Sequence, residues 1–341
     1  MRKVSGVAAA FAALVGFAGA GSAQEKITLR VADSFPAVGH YFAEPGAKYF
    51  MQAVTAATNG QVEFQHYPAQ QLGKAKDLLA LTVSGVADIG SVMPSYAPDK
   101  LQLSAVGELP GIFKTSCQGT LAYWNLAKDG ILSKAELQPN GVRVLIALVA
   151  APYQALMAQK IQSVKDLEGK KMRTLGSAVD LAMRNLKAIP IRMAAPEIHE
   201  SLSRGTLDGT LISYGAAISY SLGPLAKSVT TGRGFGSAVL TYAISEKRWK
   251  TLPANVQQVM LKVGEEATRR SCEKMDQDTT ADLGKLEKQG VSVVSFPADE
   301  DRQLETVFAS VHKAWADELD GRKRPGGDVL KAYEAAVKAV K

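Results

Sequence analysis

Arg173 stands in the stretch KKMRTLGSAV, residues 170–179, inside a short run that reads as a β-strand and just before a Gly-Ser pair that opens an apolar helix. A guanidinium is costly to bury unless an anion faces it. Its planar fork of donors matches a carboxylate through two parallel, charge-assisted hydrogen bonds. That carboxylate belongs either to an internal Asp or Glu or to a ligand, while Lys170 and Lys171 read as solvated neighbours. The remaining reactive side chains match no catalytic template. His40, His66, His199 and His312 are dispersed and show no metal-ligand spacing. No G-x-S-x-G elbow and no Walker sequence occurs, and GRGFG at 232–236 lacks the spacing of a dinucleotide loop. Hence no cofactor, metal or catalytic residue is assigned. His40 is the one histidine kept as a candidate ligand contact, because it follows the first strand, where open α/β sheets hold ligands. Cys117 and Cys272 permit one disulfide, closing a loop of about 150 residues for about 5 kcal/mol on the chain-entropy model, or they stand as two thiols.

The elements that would position these residues alternate. ITLRVADS (27–34), QVEFQHYP (61–68) and ADIGSVMP (87–94) read as strands; residues 44–58 and 73–85 between them read as helices. This order predicts an open, mostly parallel sheet covered on both faces. VRVLIALVAAPYQALMAQ (142–159) is too long for one strand of a small sheet and is expected to leave one lobe and enter a second. In that second lobe come the Arg173 strand, a helix from Ser177, the strand IPIRMAA, a helix opened by Pro196 and the strand DGTLISY. GSAVLTYAIS (236–245) reads as a second long strand crossing back. A helix from Pro253 to Gly290 is expected to run about 55 Å and brace the two halves. The fold class is therefore α/β: a two-lobed binding protein of the Venus-flytrap kind with crossing hinge strands. The expected division is 24–150 with 238–277 for lobe I, and 151–237 with 278–341 for lobe II.

The 341 residues carry a formal net charge of +7 and are 46% hydrophobic, enough for two real cores. The basic residues are scattered rather than striped with aromatics, so no nucleic-acid partner is implied. Residues 1–23 begin with Arg2 and Lys3, continue in a short apolar run of small side chains and end at Ala23. They read as an export signal cleaved after about Ala23, rather than a membrane anchor. A periplasmic location follows, where a disulfide is chemically permitted.

Three segments in register, YPAQQLG (67–73), SVKDLEGKKMR (163–173) and APEIHESLSRGTLDG (195–209), closely resemble the solute-binding proteins of TRAP (tripartite ATP-independent periplasmic) transporters, over essentially the whole chain after the leader. The resemblance implies a periplasmic protein that captures a small organic acid by lobe closure. It then delivers the acid to a small and a large membrane subunit driven by an ion gradient. It also implies that Arg173 forms a paired salt bridge with the ligand's carboxylate. Many relatives carry a second arginine where this chain has Tyr153, and an asparagine where it has Ile212. Tyr214 stands where a tryptophan often lines the cleft, and Met93 where some relatives are polar. Arg173, Tyr153, Tyr214, Ile212, Met93, His40 and Phe235 are therefore the expected ligand contacts. They would form an apolar wall with one carboxylate anchor, suited to a compact aromatic or 2-oxo monocarboxylate. The alternatives are a binding protein for an ATP-driven importer or a sensor, and an enzyme on the same scaffold.

Overall fold

Two sheets, each covered by helices, organise residues 25–340, the part of the chain that this computed structural model describes. The expected leader at 1–23 lies outside the described residues. The first sheet is built from β1 (Ile27–Ala32), β2 (Val62–Tyr67), β3 (Ile89–Val92) and β4 (Val142–Val149). The second holds β5 (Gln154–Met157), β6 (Lys171–Thr174), β7 (Ile189–Arg192), β8 (Gly209–Ile212) and β9 (Ser228–Thr231). β10 (Val239–Ser245) returns to the first sheet and β11 (Ser292–Ser295) edges the second. The orders are β2-β1-β3-β10-β4 and β11-β9-β5-β8-β6-β7.

Each sheet has one strand running against all the others: β10 is antiparallel to β3 and β4, and β5 is antiparallel to β8 and β9. Both are the strands by which the chain enters a sheet after crossing between lobes. The remaining pairs are parallel. The sheets are thus mostly parallel, as the alternation of strands and helices predicts. The run at 142–159 splits into β4 and β5 across the gap, also as expected. The return differs in detail: residues 232–238 make the crossing, and the strand proper lies wholly inside the first sheet.

The helices are α1 (Tyr49–Ala57), α2 (Leu78–Ser84), α3 (Ser116–Lys128), α4 (Ser177–Asn185), α5 (Ile198–Ser203), α6 (Tyr214–Ser219), α7 (Glu246–Trp249), α8 (Ala254–Lys288), α9 (Ala298–Gly321) and α10 (Gly326–Ala339). The 35 residues of α8 span about 52 Å. Val256, Met260, Ala267 and Met275 sit in the core that contains β4, whereas Leu286 belongs to the apolar cluster of the second lobe around Leu156, Ile212 and Tyr214. One helix therefore anchors in both lobes. Its closest seat is Gly264, where an added Cβ would lie 2.1 Å from the carbonyl oxygen of Leu145 in β4. Gly264→Ala should lose about 1–3 kcal/mol of stability, the usual cost of overpacking, in a urea titration. Unchanged stability would mean that α8 is not pressed on β4 in solution.

Cys117 on α3 and Cys272 on α8 are joined in a disulfide, with their Cα atoms 4.8 Å apart, so of the two readings the sequence permits, the bridge is the one found. The tail corrects the expected division. α9 packs on α4, but α10 packs on α3 and so lies against the first lobe, although 278–341 was expected to belong wholly to the second.

Candidate functional site

β6 holds Arg173 in register with Ile191 of β7 on one side and Thr210 of β8 on the other. The strand's rigidity fixes the guanidinium more closely than a loop would. The side chain is 1% exposed. Its Nε donates to the Met193 carbonyl at 3.1 Å and its Nη1 to the Leu211 carbonyl at 3.3 Å. Both partners are neutral. Among the described residues no carboxylate lies within salt-bridge distance of it, so the fold supplies orientation without neutralisation. A buried cation in that condition is costly unless an anion meets it.

Around it closes a small cavity between the lobes, walled by Tyr153, Ile212, Met93, Tyr96 and Tyr220, with Phe35 and Tyr41 completing one side. The centre of a water molecule can reach only ≈10 Å³ of it. That is room for about one water, so the lobes stand shut. Contacts across the gap agree: Ala195 N–H donates to the Tyr96 hydroxyl at 2.9 Å, and Ser219 Oγ donates to the Gly39 carbonyl at 3.1 Å. Tyr153 is fixed by both crossings at once. Its N–H donates to the Gly236 carbonyl at 2.8 Å, and its carbonyl accepts from Phe235 N–H at 2.9 Å.

Four of the seven expected contacts therefore converge: Arg173, Tyr153, Ile212 and Met93. Tyr214 does not line the cavity. It opens α6, and its ring turns back into the second lobe's core, where the hydroxyl donates to the Thr230 carbonyl at 2.8 Å. Phe235 does not line it either; it is fully buried edge-on against Phe296 and Phe308. His40 lies behind the wall, stacked on Phe35 at 4.2 Å and tilted against Tyr41 at 4.3 Å. Its Nδ1 accepts from the N–H groups of Phe42 and Ala43 at 3.3 Å. Burial holds its pKa down at about 3, so the ring is neutral. The sequence reading missed Tyr96, Tyr220, Tyr41 and Phe35. A signal for them exists: Tyr41, Tyr96, Tyr153 and Tyr220 all follow the carboxyl ends of strands, the edge where open α/β sheets hold ligands.

Electrostatically the cavity is a positive spot in an apolar, aromatic shell. Burial raises the phenol pKa of Tyr153, Tyr41 and Tyr220, against the opposing pull of the Arg173 charge, so all three stay neutral. Among the described residues Arg173 is the one charged side chain lining the space. One acid, Glu108, lies buried close by without pairing with it; burial pushes its carboxyl pKa up to about 8. No group of three or more His, Cys, Asp or Glu gathers as for a metal among the described residues, and no helix there is long and apolar enough to cross a membrane.

The profile of the DctP family, described as bacterial extracellular solute-binding protein, family 7, matches residues 40–318. The C4-dicarboxylate-binding periplasmic protein DctP of Rhodobacter capsulatus is 26% identical over 297 residues, 85% of this chain and 86% of that protein. Among solved structures, a TRAP solute-binding protein of an unidentified marine microbe superposes with a TM-score of 0.85 at 22% identity, covering 93% of this chain and all of that one. It is described as specific for aromatic acid ligands and holds 3-hydroxybenzoate. A TRAP solute-binding protein from Rhodoferax ferrireducens, holding copurified benzoate, gives a TM-score of 0.84 at 23% identity over 92% of this chain and 98% of that one.

Proposed function

The chain belongs to the bacterial extracellular solute-binding protein family 7, and from that premise we propose that it captures a compact aromatic or similarly apolar monocarboxylate in the periplasm and hands it to a TRAP membrane permease. One observation carries the reading: a buried guanidinium, oriented by two backbone carbonyls and left without a protein acid, at the meeting of two lobes. The ligand's carboxylate completes Arg173 through a bidentate pair, and the tyrosines close on its body. Contacts from both lobes are complete only when they close around the ligand, with the cavity walls parted beyond the one-water space, so binding shifts the lobes toward closure upon it. The hinge lies in the crossing segments 150–153 and 232–238, with α8 as the brace that both lobes share.

The cavity's charge argues for one carboxylate rather than two. A dicarboxylate buried here would leave its second anion without a cation, a cost of several kcal/mol. A uronate or other sugar acid needs many polar partners, and Ile212 and Met93 offer none. The aromatic walls fit the aromatic acids held by the marine and Rhodoferax proteins better than the dicarboxylates named for the Rhodobacter one. The role is capture and transfer, with Arg173 as anchor rather than catalyst.

A thermal-shift screen of the protein against benzoate, hydroxybenzoates, 2-oxo acids, C4-dicarboxylates and uronates tests this. A ligand at 100 times its dissociation constant adds about 2.7 kcal/mol, a shift easily read. Aromatic monocarboxylates are expected to give the largest shifts. Micromolar binding of uronates or dicarboxylates alone would sink the substrate class. Neighbouring genes for a small and a large ion-coupled membrane subunit are the expected sign of the permease.

A further inference from the structure

Glu108 is a buried acid that feels the charge of Arg173, and capture as described above gives it no part. It ends a short 3-10 segment of the first lobe (Leu103–Glu108) and is 2% exposed. Its carboxyl is in hydrogen-bonding contact with the Ser95 hydroxyl, and Val239 N–H stands 3.5 Å from Oε1. Across the gap the second lobe presses Gly176 against it: a Cβ there would lie 3.1 Å from Glu108 Oε2 and 3.1 Å from Ser95 Oγ. Its own carbonyl accepts from Ser237 N–H at 3.3 Å, in the return crossing. The residue therefore sits where lobe I, lobe II and the hinge meet.

Its charged surroundings are few. β6 offers Arg173, which stabilises the ionised form from a distance and which the ligand's carboxylate would claim. Arg192 of β7 is already paired with Asp180 of α4. At the C-terminal end of α9, Glu318 pairs with Arg322, and these two share with Glu108, Arg192 and Asp99 a pocket on the outer side of Glu108. The phenols of Tyr96, Tyr123 and Tyr153 face it and are neutral. Closing the lobes on a ligand anion would then place two carboxyl groups near one cation in a space emptied of water. Like charges so placed cannot both ionise cheaply.

We propose that Glu108 is a lobe-closing residue that enters the shut state as the neutral acid, so that capture of a ligand anion takes up one proton from solvent. The carboxylate gains the proton as water leaves and the second lobe's Gly176 seats against it; on opening, water returns and the proton leaves. This rests on the capture reading above. The sign follows from linkage: a carboxyl whose pKa is higher in the closed state than in the open one favours closure at low pH, and that help is lost as pH rises toward about 8. Affinity should therefore fall with rising pH, by up to about tenfold per unit.

Calorimetric titration with benzoate, which stays ionised throughout, between pH 6 and pH 8.5 provides the test. Wild-type affinity is expected to drop at least about tenfold over this range. Glu108→Gln, which keeps the shape and the Ser95 contact without the titration, should bind nearly equally at every pH. A flat wild-type profile, a Glu108→Gln variant with the same slope, or one that fails to bind at pH 6 would each overturn the assignment. Should benzoate bind at no pH, the substrate class fails instead, and Glu108 is judged on urea unfolding without ligand. There wild type must lose more stability from pH 6 to pH 8.5 than Glu108→Gln, and parallel losses overturn the role.

Discussion

Arg173→Ala is expected to weaken organic-acid binding by about 2–5 kcal/mol, or roughly 30- to several-thousand-fold, because the ligand's carboxylate would be buried without its partner. Most of that loss should appear as faster release. Arg173→Lys keeps the charge but not the planar fork, and should fall between wild type and alanine. The same residue predicts an opposite pattern without ligand. The backbone hydrogen bonds of the Arg173 side chain go to neutral carbonyls, those of Met193 and Leu211, and among the described residues no carboxylate pairs with it, so folding gains little from its charge. Arg173→Met, close in volume, should therefore unfold within a few degrees of wild type. Calorimetric binding and ligand-free melting curves, run on the same samples, separate the two effects. Wild-type affinity in the alanine variant would remove the anchor from the mechanism. A methionine variant that is unfolded without ligand would make Arg173 a structural residue instead.

The largest effect on stability is expected at the disulfide. Cys117 and Cys272 are 155 positions apart, and closing a loop of that length is worth about 5 kcal/mol in the chain-entropy model. The double Cys117→Ser, Cys272→Ser variant should unfold at much lower urea than the oxidised wild type, and wild type with reductant should follow it. Both cysteines lie on helices packed against β4, away from the cavity. Ligand affinity of the folded variant should accordingly stay within about twofold of wild type. A reductant that leaves the urea midpoint in place would mean that the bridge does not constrain the unfolded chain.

Much of this architecture was readable from local pattern. β2 alternates, β4 is a near-continuous apolar run because both its faces are covered, and Gly85 and Gly290 end their helices in the left-handed conformation that glycine takes at least cost. Arg173 was readable because a guanidinium on a strand demands an explanation. α3 was not read: SCQGTLAYWNLAK is buried around most of its circumference, so it carries no clean apolar stripe. The cavity walls show where one-dimensional reasoning stops. Tyr214 opens α6 and Tyr220, six positions on, follows its last residue, and only the packing of α6 on α8 decides that the second faces the gap and the first faces the core. Phe235 points away from the cavity although its backbone is bonded to that of Tyr153, since the crossing bends at it between two glycines of positive φ, Gly232 and Gly236, and its ring packs on Phe296 and Phe308. Glu108 looks like an ordinary loop acid in VGELP until Gly176, 68 positions later, is brought against it.

The reversed strand in each sheet imposes an order of events on a newly made chain. β4 has one neighbour in its sheet, β10, and β10 is 90 positions downstream of the end of β4, beyond five of the six strands of the second sheet. Until residue 245 is synthesised, the most apolar strand in the molecule has no ladder to join. The nascent protein is thus left with an exposed sticky edge for the whole time those five strands are being made. Helpers that hold unfolded chains should bind that interval of growth most tightly, and neither lobe is complete before it ends, since β11 of the second sheet follows later still.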